Sequence, residues 1–253
     1  MRRVGFSIII FLLLVSVLVS VIGLPAGGDR LLPPSAEHLF GTDMLGRDVA
    51  FRTAAGTLVS AVIAASVVIL SLLSGIILAY CYMHPLFPKG LLLGIADGLK
   101  SIPSIVLALF LSAITGPGIP VVVFSLSLSH ISDISRTAYS EYLRIAEEGY
   151  TEAAIQMKAK RSWIFLHHML PNMKQYLYEQ GVSIFMTAII AESSLSFLGC
   201  GVPQPVPSLG LILSEARPVM MEAWWMILFP SAVLFFLAIS LQMLISETDS
   251  SAH

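Results

Sequence analysis

An all-α membrane protein of about six membrane-spanning helices is the fold class that this sequence predicts, and three observations carry it. The 253 residues are 56% hydrophobic and only 12% charged, about half the charged share of a soluble domain. The apolar residues gather into runs of roughly 20 residues, the length a helix needs to cross the ~30 Å hydrocarbon core of a bilayer. Between those runs, Lys and Arg collect in alternate connections, as the positive-inside rule requires.

The first run covers 4–24 and follows Arg2-Arg3, which hold the N-terminus in the cytoplasm. A basic start also opens a signal peptide. This run is longer than a signal's apolar core, however, and Leu24-Pro-Ala-Gly-Gly is a poor cleavage site, so it is expected to stay as an anchor. Residues 27–52, rich in Pro, Gly and charge, form an outside segment, and 1–56 reads as anchor plus outside segment. Span 2 is expected at 57–80. The breaker-rich His84-Pro-Leu-Phe-Pro-Lys-Gly90 then turns the chain. Span 3 is expected over 90–115, kinked at Pro103. Gly90, Gly94 and Gly98 share one face there and would let another helix approach closely.

A tight outside turn at 116–120 leads to span 4 at 121–135, and a long inside loop covers 136–174. Span 5 is expected at 177–198. The outside segment 199–222 follows, with Pro203, Pro205, Pro207 and Pro218 limiting regular structure. Span 6 begins at Ala223 or Trp224 and ends near Ile245, with Trp224 and Trp225 as interfacial anchors. The membrane domain is thus 57–246, and 247–253 is a short polar tail. Inside connections hold Arg2, Arg3, Lys89, Arg136, Arg144, Lys158, Lys160, Arg161 and Lys174. Outside ones hold Arg30, Arg47, Arg52 and Arg217, nine against four, which sets both termini inside. Cys81 and Cys200 then fall on opposite sides and do not pair.

Several function classes fall away. A net charge of −2 with no basic stripe argues against nucleic acid. No Gly-x4-Gly-Lys-Ser/Thr loop is present to hold ATP, and no Gly-x-Ser-x-Gly supports a serine nucleophile. His38 is outside, His130 lies within span 4, and His84, His167 and His168 are inside. No His or Cys pair has ligand spacing on one face outside the membrane, so no metal site is expected.

Three stretches carry the candidate chemistry. Thr151-Glu-Ala-Ala-Ile-Gln-Met-Lys158, running on to His168-Met-Leu-Pro171, is a polar island that cannot lie in hydrocarbon. Small Ala153 and Ala154 would let a helix seat in a groove, with Glu152 offering a charged acceptor; the plain alternative is a solvated loop. In Gly41-Thr-Asp-Met-Leu-Gly-Arg-Asp48, Gly41 and Gly46 permit tight turns, while Asp43, Arg47 and Asp48 can pair among themselves. That segment is either a structural clamp or a contact for another protein. Glu192 is a carboxylate inside span 5, in company with Ser193, Ser194 and Ser196. It reads either as a lining or gate residue of a translocation path or as a helix-packing polar cluster. Asp97 and Asp133, near the inner ends of spans, read as structural pairing.

These stretches resemble the permease subunits of ABC importers of the peptide/nickel family, C-type. Glu152-Ala153-Ala154 with Leu170-Pro171 resembles the family's cytoplasmic coupling loop, although Lys158 stands where the family has Gly. Gly41 to Asp48 resembles the family's Gly-Thr-Asp…Gly-Arg-Asp stretch. Ala191-Glu-Ser-Ser-Leu-Ser-Phe-Leu-Gly-Cys-Gly-Val202 resembles its Leu-Ser-Phe-Leu-Gly-x-Gly-Val stretch, which continues to Pro207-Ser-Leu-Gly210 and to Leu213-Ser-Glu-Ala-Arg217. The resemblance implies a bacterial inner-membrane protein that forms half of a pore for peptides or nickel and metal-chelate complexes. The pore would be driven by alternating access. Implied partners are a second homologous permease, two ATPase subunits holding ATP and Mg, and an extracytoplasmic substrate-binding protein. Glu152, Ala153, Ala154, Ile155, Met157 and Lys158 would carry the ATPase coupling. The rival class is a gradient-driven secondary transporter or channel that acts without an ATPase; a third reading is a membrane scaffold.

Overall fold

The computed structural model describes residues 2–22, 28–83, 88–146 and 161–249. Their regular secondary structure is helical, 28–48 forms turns and loop, and their one β feature is an isolated bridge between Thr42 and Asp48. The long helices are α1 (Arg2–Ile22), α2 (Val49–Met83), α3 (Lys89–Ser101), α4 (Ser104–Thr115) and α5 (Ile119–Ala146). After residue 160 come a short α6 (Arg161–Ile164), a π-helical turn (Phe165–Met169), α7 (Leu170–Asn172) and α8 (Lys174–Phe197). The chain then forms α9 (Leu209–Ala216), a 3₁₀ turn (Arg217–Val219) and α10 (Trp225–Asp249).

Helices α2 and α10 are long and apolar enough to cross a membrane, and the bent pair α3–α4 qualifies when taken together. Helices α5 and α8, with 28 and 24 residues, have the length, but their serines and ionisable residues make them less apolar. Those polar residues are the ones that find partners inside the chain.

Several expectations need correction. Helix α2 starts at Val49, not at 57, and its 35 residues span roughly 52 Å at 1.5 Å per residue, more than a bilayer core. The extra turns are held by packing, since Val49, Arg52 and Thr53 are buried. Pro103 ends a helix instead of kinking one. Ile102, the residue before it, is extended at φ −91° and ψ 119°, as a residue preceding proline is driven to be, and α4 starts afresh at Ser104. Helix α5 continues through Ala146, so the first part of the expected 136–174 loop is helix, and most of its last part is short helical turns. The segment 199–222 contains α9, because Pro207 and Pro218 flank that helix without interrupting it and Ser208 caps it, its Oγ accepting from the Leu211 amide. Helix α10 runs past Ile245 to Asp249.

Two further corrections concern side chains. Trp225 is not an interfacial anchor: it is 5% exposed and its indole N–H donates to the Thr42 carbonyl at 3.2 Å. Trp224 is exposed as expected. No described residue comes within 4 Å of a Cβ placed at Gly90, Gly94 or Gly98. The helix expected against that glycine face is therefore not among the described residues of this chain; α3 turns its Asp97 and Lys100 toward α5 instead.

The chain divides into two compact units. One, formed by 1–67, 105–126 and 182–253, is centred on Val49, Ala216, Ala223, Trp225 and Met226, with Phe40 stacked on Phe229 at 4.0 Å. Helix α1 packs on α10 in this unit, with Gly5 over the Ser240 carbonyl. The other unit, formed by 68–104 and 127–181, is centred on Ala79, Ala138, Phe165, Met169 and Met173.

Gly210 sets the tightest packing in the first unit. Its position lies against the Ser193 backbone so closely that a Cβ would overlap the Ser193 carbonyl. Gly210→Ala is therefore expected to push α9 off α8 and to destabilise the protein by about 1–3 kcal/mol, the usual cost of overpacking, read as a lowered thermal midpoint of the solubilised protein.

Candidate functional site

The first unit holds two polar constellations, both built on the start of α2. The first is a clamp. Asp43 sits at a turn where its Oδ1 accepts the backbone amides of Leu45 (2.8 Å) and Arg47 (2.9 Å). Its Oδ2 accepts from Arg47 Nε (2.6 Å) and from the Arg52 guanidinium (2.8 Å). Both arginines also reach Glu215 of α9, Arg47 at 3.1 Å and Arg52 through a short ion pair, while Gln204 donates to the other Glu215 oxygen at 2.7 Å. Two guanidinium groups and two carboxylates thus neutralise one another with little exposure, which keeps the burial of each charge affordable.

The turn that presents Asp43 needs glycine at both ends. Gly41 (φ +71°) and Gly46 (φ +74°) occupy the left-handed region, and neighbouring backbone leaves no room for a side chain at either. Asp48 does not join Arg47 as the sequence suggested. It accepts from the Phe51 amide at 2.9 Å, capping α2, and pairs with His38 Nδ1 at 2.9 Å. Thr42 ties the segment down further, its hydroxyl donating to the Asp29 carbonyl and accepting from the Leu32 amide, each at 2.8 Å. Beside the clamp lies a cavity of about 420 Å³ lined by Met44, Leu45, Pro218 and Met226, with Glu215 and Arg47 on its wall.

Burial pushes the Asp43 carboxyl up. The backbone hydrogen bonds from Arg47 and Leu45 and the Arg47 guanidinium outweigh that, and the carboxyl titrates below its ordinary 3.8.

The second constellation surrounds Glu192, which has 0% exposure. Ser60 of α2, two turns beyond Arg52, donates to its Oε2 at 2.7 Å, and Ser196 donates to its Oε1 at 2.7 Å, with Ser193 at 3.5 Å. The two nearer hydroxyls accept in turn, Ser196 from the Val202 amide at 3.0 Å and Ser60 from the Leu209 amide at 3.5 Å. One carboxylate therefore joins α2, α8, the connection after α8 and the first residue of α9. Glu192 is thus fully buried with both carboxylate oxygens hydrogen-bonded within the chain.

Of the residues the sequence singled out, Gly41, Asp43, Gly46 and Arg47 lie in one turn with Asp48 beside it on His38, and Glu192, Ser193 and Ser196 lie together. Sequence reasoning missed Arg52, Glu215, Gln204 and Ser60. Arg52 and Ser60 open α2 on one side of the helix, a polar stripe in an otherwise apolar run and the one available signal. In the second unit, Asp97 pairs with Arg136 and Asp133 with Lys100, the structural pairing expected of both aspartates. Glu152, Ala153, Ala154, Ile155, Met157 and Lys158 lie outside the described residues. Among the described residues, no three His, Cys, Asp or Glu side chains converge on a point where a metal ion would bind.

Comparison with known proteins bears directly on these motifs. Residues 71–247 match the family model of the binding-protein-dependent transport system inner membrane component. A Brucella suis protein that carries the name of a peptide transport system permease is 35% identical over 96% of this chain and 86% of its own length. The dipeptide transport system permease protein DppC of Alkalihalophilus pseudofirmus is 31% identical, covering 85% of this chain and 71% of its own. The oligopeptide transport system permease protein OppC of Bacillus subtilis is 30% identical over 79% of this chain and 66% of its own. Among solved structures, a chain of the MetNI methionine ABC transporter in an inward-facing conformation superposes with a TM-score of 0.55. It shares 20% identity over 80% of this chain and 94% of that one, a likeness of fold.

Two outcomes follow from the clamp. Arg52→Gln leaves buried Asp43 and part-buried Glu215 short of a cation and is expected to lower stability by about 3 kcal/mol, read from thermal unfolding of the solubilised protein. Because the Asp43 pKa is depressed on folding, its contribution is present above the unfolded value and is lost as pH falls through the folded one. The thermal midpoint is therefore expected to be insensitive to this group above about pH 4 and to drop in more acidic buffer, and Asp43→Asn is expected to remove that part of the acid dependence.

Proposed function

Because the chain belongs to the family of binding-protein-dependent transport system inner membrane components, we propose that it forms one half of the pore of an ABC importer for peptides. The observation that carries this reading is the family match over 71–247, which extends across the polar stretch 147–160 and Glu192, Ser193 and Ser196. The relatives' names supply the substrate class: the Brucella protein and the DppC and OppC proteins are all named for peptide transport.

In this reading the chain crosses the inner membrane six times with both termini in the cytoplasm, supported by the excess of Lys and Arg in the inside connections. A second homologous permease completes the pore. Two ATPase subunits bind ATP and Mg beneath it, and a substrate-binding protein docks from outside. Glu152 to Met157 couple the chain to an ATPase subunit, and Lys158 stands where the family has Gly. ATP binding draws the ATPases and their docked coupling helices together and turns the pore outward; hydrolysis resets it. The ligand shifts the equilibrium by its differential affinity for the two states.

The two constellations then take different roles. Asp43, Arg47 and Asp48 spend their charges within the chain, so they hold shape. The rigid turn they build leaves Leu45 58% and Met44 39% exposed at its tip, which suits a contact with the binding protein. Glu192, Ser193 and Ser196 lock α8 to α2 and α9 and keep the outer end of that helix group rigid.

The coupling role is tested with Glu152→Lys in complexes assembled with their ATPases and binding protein. ATP hydrolysis is expected to persist while uptake falls by about tenfold or more, the effect of losing one charged hydrogen bond of roughly 1.5–3 kcal/mol at the docking surface. Normal uptake by such assembled complexes would remove the coupling role from this stretch.

A further inference from the structure

Helices α3 and α5 face each other through ion pairs that read in opposite senses. On α3, Asp97 is acidic and Lys100, one turn on, is basic; on α5, Asp133 is acidic and Arg136 basic. Arg136 Nε donates to Asp97 Oδ1 at 3.0 Å and the guanidinium makes a second, short contact with Oδ2, while Ser132 adds a bond to Asp97 at 3.3 Å. Lys100 closes on Asp133. Farther along, Lys89 Nζ lies 2.7 Å from the Tyr139 hydroxyl and 4.0 Å from the centre of its ring. The four ionised groups of the two pairs sum to zero, and their side chains remain between 45% and 52% exposed.

Position makes this unusual. Helix α5 begins at Ile119, directly after the turn at Gly116. At about 1.5 Å per residue, Asp133 lies roughly 21 Å and Arg136 roughly 25 Å along it, so Arg136, counted with the inside connection from the sequence, falls with Asp133 in the inner third of a hydrocarbon layer of ~30 Å entered at that end. Half-exposed ions at that depth do not face acyl chains; they face water or protein. Covering them with another protein would strip their remaining hydration while adding no counter-charge, because each already has its partner in this chain. Water is the fitting neighbour.

We propose that the Asp97–Arg136 and Lys100–Asp133 pairs line the aqueous route through which the substrate passes, and that they exchange ion-pair partners with the charged ends of a zwitterionic peptide. This rests on the importer reading above. Carboxylate and ammonium ends both find an opposite charge within one helical turn. Since exposed pairs of this kind bind their own partners weakly, they release a passing end readily. The chemistry recognised is a free α-amino and α-carboxyl group on one molecule.

The test uses the assembled complex in membrane vesicles, carrying Cys81→Ser and Cys200→Ser. In that background Lys100→Cys is probed with an aminoethyl methanethiosulfonate, and Met221→Cys, at the 89% exposed Met221, serves as reference. The proposal expects modification in the nucleotide-free complex that slows at least several-fold when the ATPases are trapped with a non-hydrolysable ATP analogue, with the reference rate unchanged. No modification at 100 while 221 reacts would place a protein there and overturn the proposal. Equal modification in both nucleotide states would place the pairs on a bulk surface and overturn it too. A second arm, Lys100→Gln with Asp133→Asn, compares uptake of a free dipeptide with its N-acetylated, C-amidated form. A selective several-fold loss for the free dipeptide supports the proposal, and an equal change for both contradicts the recognition of charged ends. Failure of wild-type complexes to take up any peptide would instead count against the importer's substrate class, since the labelling arm needs no transport.

Discussion

A charge that leaves bulk water has to be answered nearby, and this chain is arranged around that constraint. Helix α2 does much of the answering in the first unit. Its Arg52 stands between Asp43 and Glu215, residues separated by 172 positions in the chain, and its Ser60 satisfies Glu192. These two contacts, two turns apart on one helix, bring together the 28–48 segment, the connection after α8, and α9. The same regions pack closely, with Gly41 against the Leu32 carbonyl and the Trp225 ring and Gly210 against the Ser193 backbone, where no side chain would fit.

The second unit meets the same constraint differently. Its apolar cluster of Ala79, Ala138, Phe165, Met169 and Met173 contains no ionised group, and its charges stand apart as the α3–α5 pairs. Buried and mutually neutralised charges, as in the clamp, hold a conformation because removing one member strands the other. Half-exposed pairs contribute little to stability and exchange partners easily. The division between a charge-locked unit and a unit with loosely paired charges suits a protein in which one region must keep its shape and another must handle a passing solute.

Much of this was legible in the sequence, and the limits have physical reasons. The all-helical class follows from apolar run length. The pairing of Asp43 with Arg47 was legible because opposite charges stand close together in a stretch that Gly41 and Gly46 let turn tightly. Arg52 and Glu215 were not legible as partners, because nothing local signals a contact that only the tertiary fold creates. Asp48 was legible as a charge, but its use as a helix cap became visible only once α2 was seen to start at Val49. Helix α9 was masked by four prolines whose count suggested disruption, whereas their placement at its flanks defines it. Trp225 looked like an interfacial anchor because Trp at a span's end usually is one; its burial and its bond to the Thr42 carbonyl are contacts that only the tertiary fold creates. Glu192 was legible as a carboxylate in an apolar run, and Ser60, which donates to it, lies 132 residues away.

In the importer reading proposed above, the chain's own groups provide shape and passage and the driving force comes from partner subunits. The measurement that tests this most directly is substrate uptake in vesicles containing the permease pair and the binding protein, with and without the ATPase subunits, under collapsed ion gradients. Uptake that requires the ATPases and ATP and continues without any gradient is the expected result. Uptake that persists in the absence of the ATPases, driven by a gradient, would contradict it.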